Sequence, residues 1–309
     1  MLKTTPAKVD EGWRRKAGML RMVGFNRVRS AMAPLLRPVL EHVPPIRWLA
    51  KALLRRQPSR VQVEGLDFQV HQSDFGVTLE LSSTGDYEPA TRASCLGVLG
   101  PGMIFLDIGA HVGLFALPAA KALGEQGIVH AFEPNPDNRA MLEANVLTNR
   151  LNNVWVHAEA MSDQVGKAIL SCSSFNTGDH RLADMPSRTS VEVDTTTVDS
   201  WCRRHEVHPD VIKMDVQGAE PQVIAGMQEL LQGERPLHVF LEFTPSLLKS
   251  AGVDPLAFLE SFVGHGLHLH LLDEHRGIET PATPSQVLAA CPRRSYVNIR
   301  CSRGAARED

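Results

Sequence analysis

Two acidic residues at predicted strand ends have a spacing that suits a nucleoside ligand. Asp107 ends the apolar run 103–107 and is followed by a turn with glycines at positions 109 and 113. Glu133 ends the next apolar run, 20 residues beyond Gly113, where a carboxylate can accept hydrogen bonds from both hydroxyls of a ribose. Bare glycine backbone before a helix lets such a ligand approach closely. The pattern predicts a nucleotide-type cofactor site, and helix capping is the alternative role of both acids.

The glycine turn by itself is a weak signal. Ala110 and His111 interrupt the GxGxxG spacing of dinucleotide-binding enzymes. The prediction therefore depends on the coincidence of the turn with Glu133 and with the order of the strands.

Three further side chains are candidate general bases. Asp215 follows the apolar run 211–214 and Glu242 lies near the end of the run 237–243, so both are expected at the ligand-binding edge of a parallel sheet. His180 lies in a predicted loop, where a solvated surface position is the alternative. Asp215 is the first choice, with cofactor contact or helix capping as its alternatives.

An alternation of strands and helices must position these residues. A small hairpin is predicted at 61–63 and 68–70, and later strands at 103–107, 128–132, 154–157, 211–214, 237–243, 267–272 and 296–301. The predicted helices are 112–123, 136–149 and 218–231, and residues 167–198 form an excursion of extra strands and a loop. Repeated strand–helix units imply an α/β fold with a doubly wound, mostly parallel sheet over about residues 68–301. Its ligand is expected at the carboxyl ends of the strands.

The charge distribution separates the first 60 residues from the rest. They contain 14 lysines and arginines against three acidic residues, a net charge of +11, whereas the whole chain has −3. We predict a basic helical extension at 1–60 and a catalytic domain at 61–309. The extension is expected to pack on its own domain or on a second copy, and contact with an anionic membrane surface is the alternative.

Composition removes several other classes of protein. Apolar residues make up 43% and charged residues 22%, as in ordinary globular proteins. No apolar run is long enough for a membrane span or a signal peptide, so a cytoplasmic location is expected. The net acidic body argues against nucleic acid as a partner. The five scattered cysteines, the histidines at 265, 268 and 270, and the pair Asp215 and Glu242 are too weak as ligand sets, so no metal site is predicted.

Four motifs together resemble a known family. They are Asp-x-Gly-Ala-His-Val-Gly at 107–113, Phe-Glu-Pro-Asn-Pro at 132–136, Ala-Met-Ser-Asp at 160–163, and Ile-Lys-Met-Asp-Val-Gln-Gly-Ala-Glu at 212–220. They are similar to the motifs of the FkbM family of S-adenosylmethionine-dependent methyltransferases, over about residues 86–243. Two positions depart from the family pattern. His111 replaces the usual asparagine, and Gln217 replaces the usual glutamate.

The resemblance implies a class I methyltransferase (Rossmann-like) fold, with S-adenosylmethionine as cofactor and S-adenosylhomocysteine as product. It implies that the turn holds the methionine end of the cofactor, that Glu133 holds the ribose, and that Glu88 meets the ammonium group, with surface exposure as the alternative for Glu88. The cofactor-binding residues implied by the resemblance are Glu88, Asp107, Gly109, Ala110, His111, Gly113, Glu133, Pro134, Ala160, Met161, Asp163 and Asp215. Ala160, Met161 and Pro134 would surround the adenine, and Asp163 would bind its amino group.

The expected reaction is transfer of a methyl group to a hydroxyl oxygen of a small molecule, either a natural product or a sugar. The oxygen acceptor follows from the resemblance alone. Methylation of nitrogen or of a carboxyl group is one alternative. A non-catalytic module, which keeps the cofactor fold and docks to a membrane or an acidic partner, is the other. No motif in the sequence identifies the acceptor.

Overall fold

The computed structural model describes residues 59–72, 74, 76–174, 176–291 and 296–304. The basic helical extension predicted for residues 1–60 lies outside these ranges except for its last two residues, so its role stays a prediction. Within the described ranges, no helix is both long enough and apolar enough to cross a membrane.

The described residues form three sheets. The strands are β1 Arg60–Val63, β2 Leu66–Gln69, β3 Ile104–Ile108, β4 Ile128–Phe132, β5 Val154–His157, β6 Ala160–Met161, β7 Gly166–Cys172, β8 Arg181–Leu182, β9 Thr189–Thr196, β10 Val211–Met214, β11 Leu237–Phe243, β12 His268–Asp273, β13 Ile278–Ala282 and β14 Val297–Arg303. The central sheet has the order β13-β12-β14-β11-β10-β3-β4-β5. Its strands from β11 to β5 are parallel, while β14, β12 and β13 pair antiparallel at one side. The predicted mostly parallel α/β sheet is therefore confirmed.

The described helices connect these strands and cover the sheet. They are α1 Val77–Thr84, α2 Pro89–Gly97, α3 Ala116–Leu123, α4 Pro136–Thr148, α5 Val198–His205, α6 Glu220–Ala225, α7 Gln228–Gln232, α8 Pro245–Ser250, α9 Pro255–Gly264 and α10 Pro284–Ala290. Two helix boundaries differ from the sequence prediction. The helix predicted from residue 112 begins at Ala116 because the glycine turn extends farther, and the helix predicted at 218–231 is interrupted between Ala225 and Gln228.

The alternation of side chains along β3 and β10 decides which residues face each other. Leu106 and Ile108 pack into the core on one face of the sheet, and Phe105 packs into the core on the other. Asp107 must share the face of Phe105, because side chains two residues apart lie on the same face of a strand. Asp107 is in register with Lys213 of β10. Two polar residues are thus held side by side in the middle of an apolar sheet.

The excursion predicted at 167–198 folds as a separate small sheet. Its order is β6-β9-β7-β8, with β7 and β9 forming a long antiparallel pair. The short strand β6 connects it to the end of β5 in the chain, so the small sheet stands next to the carboxyl ends of the central strands. The loop between β7 and β8 is thereby placed over that edge.

Candidate functional site

A cleft opens at the carboxyl ends of β3, β4 and β10. The strand-end cleft, as we call it, is lined by Ile108, Gly109, His111, Phe132, Glu133, Pro134, Asn138, Glu159, Ala160, Met161, Leu170, Thr177, Gly178, His180, Leu182, Asp215 and Val216. Eight of the predicted site residues are among them: Gly109, His111, Glu133, Pro134, Ala160, Met161, His180 and Asp215. The ligand edge expected for a doubly wound sheet therefore coincides with an actual cleft.

The glycine turn after β3 brings two backbone segments into close contact. Gly109 has φ +84°, and its amide donates a 3.0 Å hydrogen bond to the carbonyl of Phe132, as does the amide of Ala110. A Cβ atom at position 109 would lie 2.0 Å from the carbonyl oxygen of Asp215. Gly113 has φ +96°, and a Cβ there would meet Leu117 and Leu142. Both predicted glycines are thus required by conformation and by packing.

We expect Gly109→Ala to destabilise the protein by at least about 2 kcal/mol more than Gly102→Ala. Gly102 has nearly the same backbone angle, φ +79°, but nothing lies within 4 Å of the position that a Cβ atom would take there. The difference between the two variants therefore isolates the steric cost of approaching Asp215. Urea unfolding monitored by circular dichroism measures it. Equal destabilisation by both substitutions would show that the turn yields without cost.

Glu133 is held at the end of β4 by backbone amides. Its Oε1 accepts a 2.9 Å hydrogen bond from the amide of Asn135, and its Oε2 accepts a 2.8 Å bond from the amide of His111. The side chain lines the cleft although the residue is only 5% exposed. Burial raises the pKa of Glu133 to about 7, and the two amide hydrogen bonds oppose that rise. The carboxylate is therefore fixed in orientation and ready to accept further hydrogen bonds.

The apolar part of the cleft comes from the small sheet and from β4. Ala160 and Met161 are buried in β6. Together with Leu170 of β7 and Leu182 of β8, they line the cleft. Asp163, in contrast, is exposed and accepts a 3.1 Å hydrogen bond from the hydroxyl of Ser162. It is not among the residues that line the cleft, so its predicted contact with an adenine stays a prediction.

The loop between β7 and β8 is held by three polar contacts of Thr177. Thr177 donates its amide to Asp74 at 2.7 Å, and its carbonyl accepts a hydrogen bond from the side chain of Asn138 at 3.2 Å. Its hydroxyl is 2.9 Å from Nε2 of His111. His111, which replaces the family's asparagine, thus contributes a side-chain contact to Thr177 in addition to its backbone amide, which bonds Glu133. We call the segment 176–180 the covering loop.

Thr177→Val is expected to weaken binding of a ligand in the cleft by roughly 3- to 10-fold, the value of one hydrogen bond. The substitution removes the hydroxyl that meets His111 and keeps the volume of the side chain. Thr177→Ser keeps the hydroxyl and serves as the control. Calorimetric titration with S-adenosylhomocysteine compares the two variants, and equal affinities would assign the loop no part in binding.

His180 lies in the covering loop and lines the same cleft as Glu133. Its Nδ1 accepts a 3.1 Å hydrogen bond from the amide of Ser173, which fixes the ring. Burial lowers the pKa of His180 to about 4, so the imidazole is neutral at pH 7 with Nδ1 already occupied. The solvated surface position considered from the sequence is wrong, since the side chain is part of the cleft wall.

A group of four carboxylates surrounds one buried lysine near the end of β10. Asp107 of β3 is in register with Lys213 of β10. Asp215 is two residues beyond Lys213 in the chain, directly after β10 ends. Glu88, which precedes α2, and Glu242 of β11 complete what we call the carboxylate cluster. The Nζ of Lys213 is 4.0 Å from Oδ2 of Asp215 and 4.7 Å from the ring centre of Phe115.

Burial dominates the electrostatics of this cluster. It raises the pKa of Asp107 and that of Glu88 to about 7, and the charge of Lys213 opposes the rise in both. Burial, with the nearby charges of Asp215 and Glu88, holds the pKa of Glu242 well above its usual range. For Lys213, burial lowers the pKa, but the surrounding carboxylates outweigh it and raise the pKa overall. Glu88 is buried, so its alternative surface position is wrong.

Asp215 is held differently from the other three carboxylates. The side-chain amide of Gln217, the second departure from the family pattern, donates a 2.7 Å hydrogen bond to its Oδ1. Its side chain is 20% exposed and lines the cleft, whereas those of Asp107 and Glu88 are almost fully enclosed. Asp215 is therefore the member of the cluster whose side chain lines the cleft.

The sequence did not single out Lys213. A lysine inside an apolar run next to Asp215 was the available signal, because lysine is almost never buried without a partner. The covering loop was anticipated around His180, but its bonds to Asp74 and His111 join residues far apart in the chain. Only the folded arrangement shows them.

Comparisons with known proteins identify the family of this chain. The model of the FkbM methyltransferase domain matches residues 107–272. The 31-O-demethyl-FK506 methyltransferase FkbM of Streptomyces tacrolimicus is 30% identical over 42% of this chain and 62% of its own length, so the chain spans less than two thirds of that relative. The 2-O-methyltransferase NoeI of Sinorhizobium fredii is 28% identical over 47% of this chain and 72% of its own length.

Among solved structures, precorrin-6y C5,15-methyltransferase from Geobacter metallireducens is similar at 14% identity and a TM-score of 0.39, over 69% of this chain and 87% of its own.

The family model covers more than half of the chain and includes the glycine turn, Glu133, Asp215 and Glu242. The chain therefore belongs to the FkbM family of S-adenosylmethionine-dependent methyltransferases.

Proposed function

We propose that this chain transfers a methyl group from S-adenosylmethionine to a hydroxyl oxygen of a small molecule, a natural product or a sugar. The observation that carries the proposal is the position of Asp215 in the wall of the cleft that Glu133 and the glycine turn also line. A carboxylate is thus available at one end of a site whose other parts suit a nucleoside. Both relatives described above are named for methylation at an oxygen, one at a 31-O position and the other at a 2-O position.

The described residues fit the proposed cofactor. Glu133 offers an oriented carboxylate for the ribose, and Ala160 and Met161 offer an apolar wall for the adenine. Two buried carboxylate oxygens, Oε2 of Glu88 and Oδ2 of Asp107, accept no hydrogen bond from the described residues. Such unpaired acceptors are costly in a protein alone and suit a cationic ligand with N–H groups. When bound, the cofactor supplies an activated methyl group on its sulfonium.

The protein's part in the reaction is then alignment and proton removal. The glycine turn and covering loop would fix the donor, because an in-line displacement depends on positioning of the two reacting atoms. Burial and neighbouring carboxylates hold the pKa of Glu242 well above its usual range, which favours its protonated form. Asp215, exposed to the cleft and held by Gln217, is the group placed to accept the proton of the acceptor hydroxyl.

The direct test is calorimetric titration of the purified full chain with S-adenosylhomocysteine, which needs no acceptor. We expect micromolar binding at one site per chain. Incubation with methyl-labelled S-adenosylmethionine and a panel of hydroxylated compounds then identifies the acceptor. No binding of the cofactor product would remove the enzyme proposal and leave the non-catalytic module.

We also propose that the basic segment 1–60 packs on the catalytic domain or on a second copy and that the protein acts in the cytoplasm. Support comes from the charge of +11 in this segment beside a net acidic remainder. Flotation of the full chain with neutral and with anionic liposomes should give equal recovery. Recovery that increases only with anionic lipid would favour the membrane alternative.

A further inference from the structure

Lys213 has an unusual position for a lysine. Its side chain is 2% exposed in β10, with β3 on one side and β11 on the other. Its partners in register on the adjacent strands are Asp107 of β3 and Phe240 of β11. A buried ammonium group has a large desolvation cost unless negative charges compensate it, so its surroundings must supply them.

The compensating charges come from four carboxyl groups around the ammonium group. They are Asp107 on β3, Asp215 at the end of β10, Glu88 before α2 and Glu242 on β11. Glu80 of α1 and Glu274 after β12 add negative charge near Glu88. The cluster therefore has more carboxyl groups than its single lysine can neutralise.

Two of these carboxyl groups keep an oxygen without a partner. Oδ2 of Asp107 and Oε2 of Glu88 are buried and accept no hydrogen bond from the described residues. Lys213 acts on both through space, since its charge lowers the pKa of each. It thus favours the charged form of both groups, while each keeps one buried oxygen without a hydrogen-bond donor among the described residues.

We propose that Lys213 is a positioning residue, the buried counter-ion that favours the negatively charged forms of Glu88 and Asp107, whose unpaired oxygens would accept hydrogen bonds from the ammonium group of S-adenosylmethionine. The inference rests on the proposed function and names the residue that prepares its cofactor site. Without the lysine, the pKa of both buried carboxyl groups would rise further and they would be more fully protonated at neutral pH, because desolvation favours the neutral form. That proton would occupy an acceptor that the cofactor needs.

The test compares Lys213→Met with the wild type by calorimetric titration with S-adenosylmethionine and with S-adenosylhomocysteine from pH 6 to pH 8.5. We expect the variant to bind S-adenosylmethionine at least 10-fold more weakly at pH 7, and the ratio of the two affinities to approach one as pH rises. S-adenosylhomocysteine keeps the ammonium group and lacks only the sulfonium charge, so its ratio should be smaller but still above one at pH 7. Titration in two buffers with different ionisation enthalpies should show additional proton release when the variant binds.

Two controls separate charge from structure. Lys167→Met removes an exposed lysine that pairs with Glu192 on the small sheet and should leave all affinities unchanged. Glu88→Gln removes one of the groups that Lys213 is proposed to keep charged, and its affinity for S-adenosylmethionine should fall and depend less on pH. This variant also serves if Lys213→Met does not fold.

A ratio that stays constant over the pH range, tighter binding by Lys213→Met throughout, or wild-type behaviour of Glu88→Gln would each overturn the inference. If the wild type itself bound neither compound, the proposed function would fail instead. The two failures are therefore distinguishable in one series of titrations.

Discussion

Asp215→Asn is expected to lower the rate of methyl transfer by about 100- to 10,000-fold, the usual contribution of a general base. The amide cannot accept the proton of a hydroxyl acceptor, but its oxygen can still accept the hydrogen bond from Gln217. Affinity for S-adenosylhomocysteine should therefore remain within about 3-fold of the wild type, since less than one hydrogen bond is lost. Single-turnover rates with the acceptor found by screening, together with calorimetric titration, measure the two effects separately.

Glu242→Gln is the matched control for this prediction. Burial and neighbouring carboxylates hold the pKa of Glu242 well above its usual range, which favours the neutral acid, and glutamine resembles that form in charge and shape. We expect its rate to stay within about 10-fold of the wild type, far from the loss of a base. A large loss in Glu242→Gln with an active Asp215→Asn would transfer the role of the base to Glu242. Retained activity in both would favour a nitrogen or carboxyl acceptor.

Glu133→Ala is expected to weaken binding of S-adenosylhomocysteine by at least about 100-fold, or about 2.7 kcal/mol, because two hydrogen bonds to a carboxylate are lost. The carboxylate lines the cleft, and the amides of Asn135 and His111 fix its orientation. Calorimetric titration measures the loss. Glu159→Ala, which removes another acidic side chain from the cleft wall, should change the affinity by less than about 3-fold.

The pH dependence of binding provides a second readout for Glu133. Burial raises its pKa to about 7, so the fraction in the carboxylate form increases between pH 6 and pH 8. Because the carboxylate accepts ribose hydroxyls better than the neutral acid, wild-type affinity should rise over this range. The rise should be smaller in Glu133→Ala, where Asp107 and Glu88 still titrate. A variant with wild-type affinity and an unchanged melting temperature would disprove the ribose contact.

The sequence predicted the parts of this protein that depend on short-range patterns. Apolar runs, bounded by turns, located the parallel strands to within about one residue, because a strand buried on both faces requires such a run. The positions of Gly109, Glu133 and Asp215 followed from the strand ends, since parallel strands present their carboxyl ends at one edge. The family motifs fall on those same positions, and the match over residues 107–272 confirms the family.

The tertiary structure alone decided which side chains meet. The register between β3 and β10 places Asp107 beside Lys213, and a shift by one residue would move either side chain to the opposite face. The covering loop reaches His111 from 66 positions away, and Glu88 is buried with carboxylates of strands far along the chain. A sequence states residue types and local spacing. Burial, orientation and the pKa shifts that follow from them arise only when distant segments pack together and exclude water.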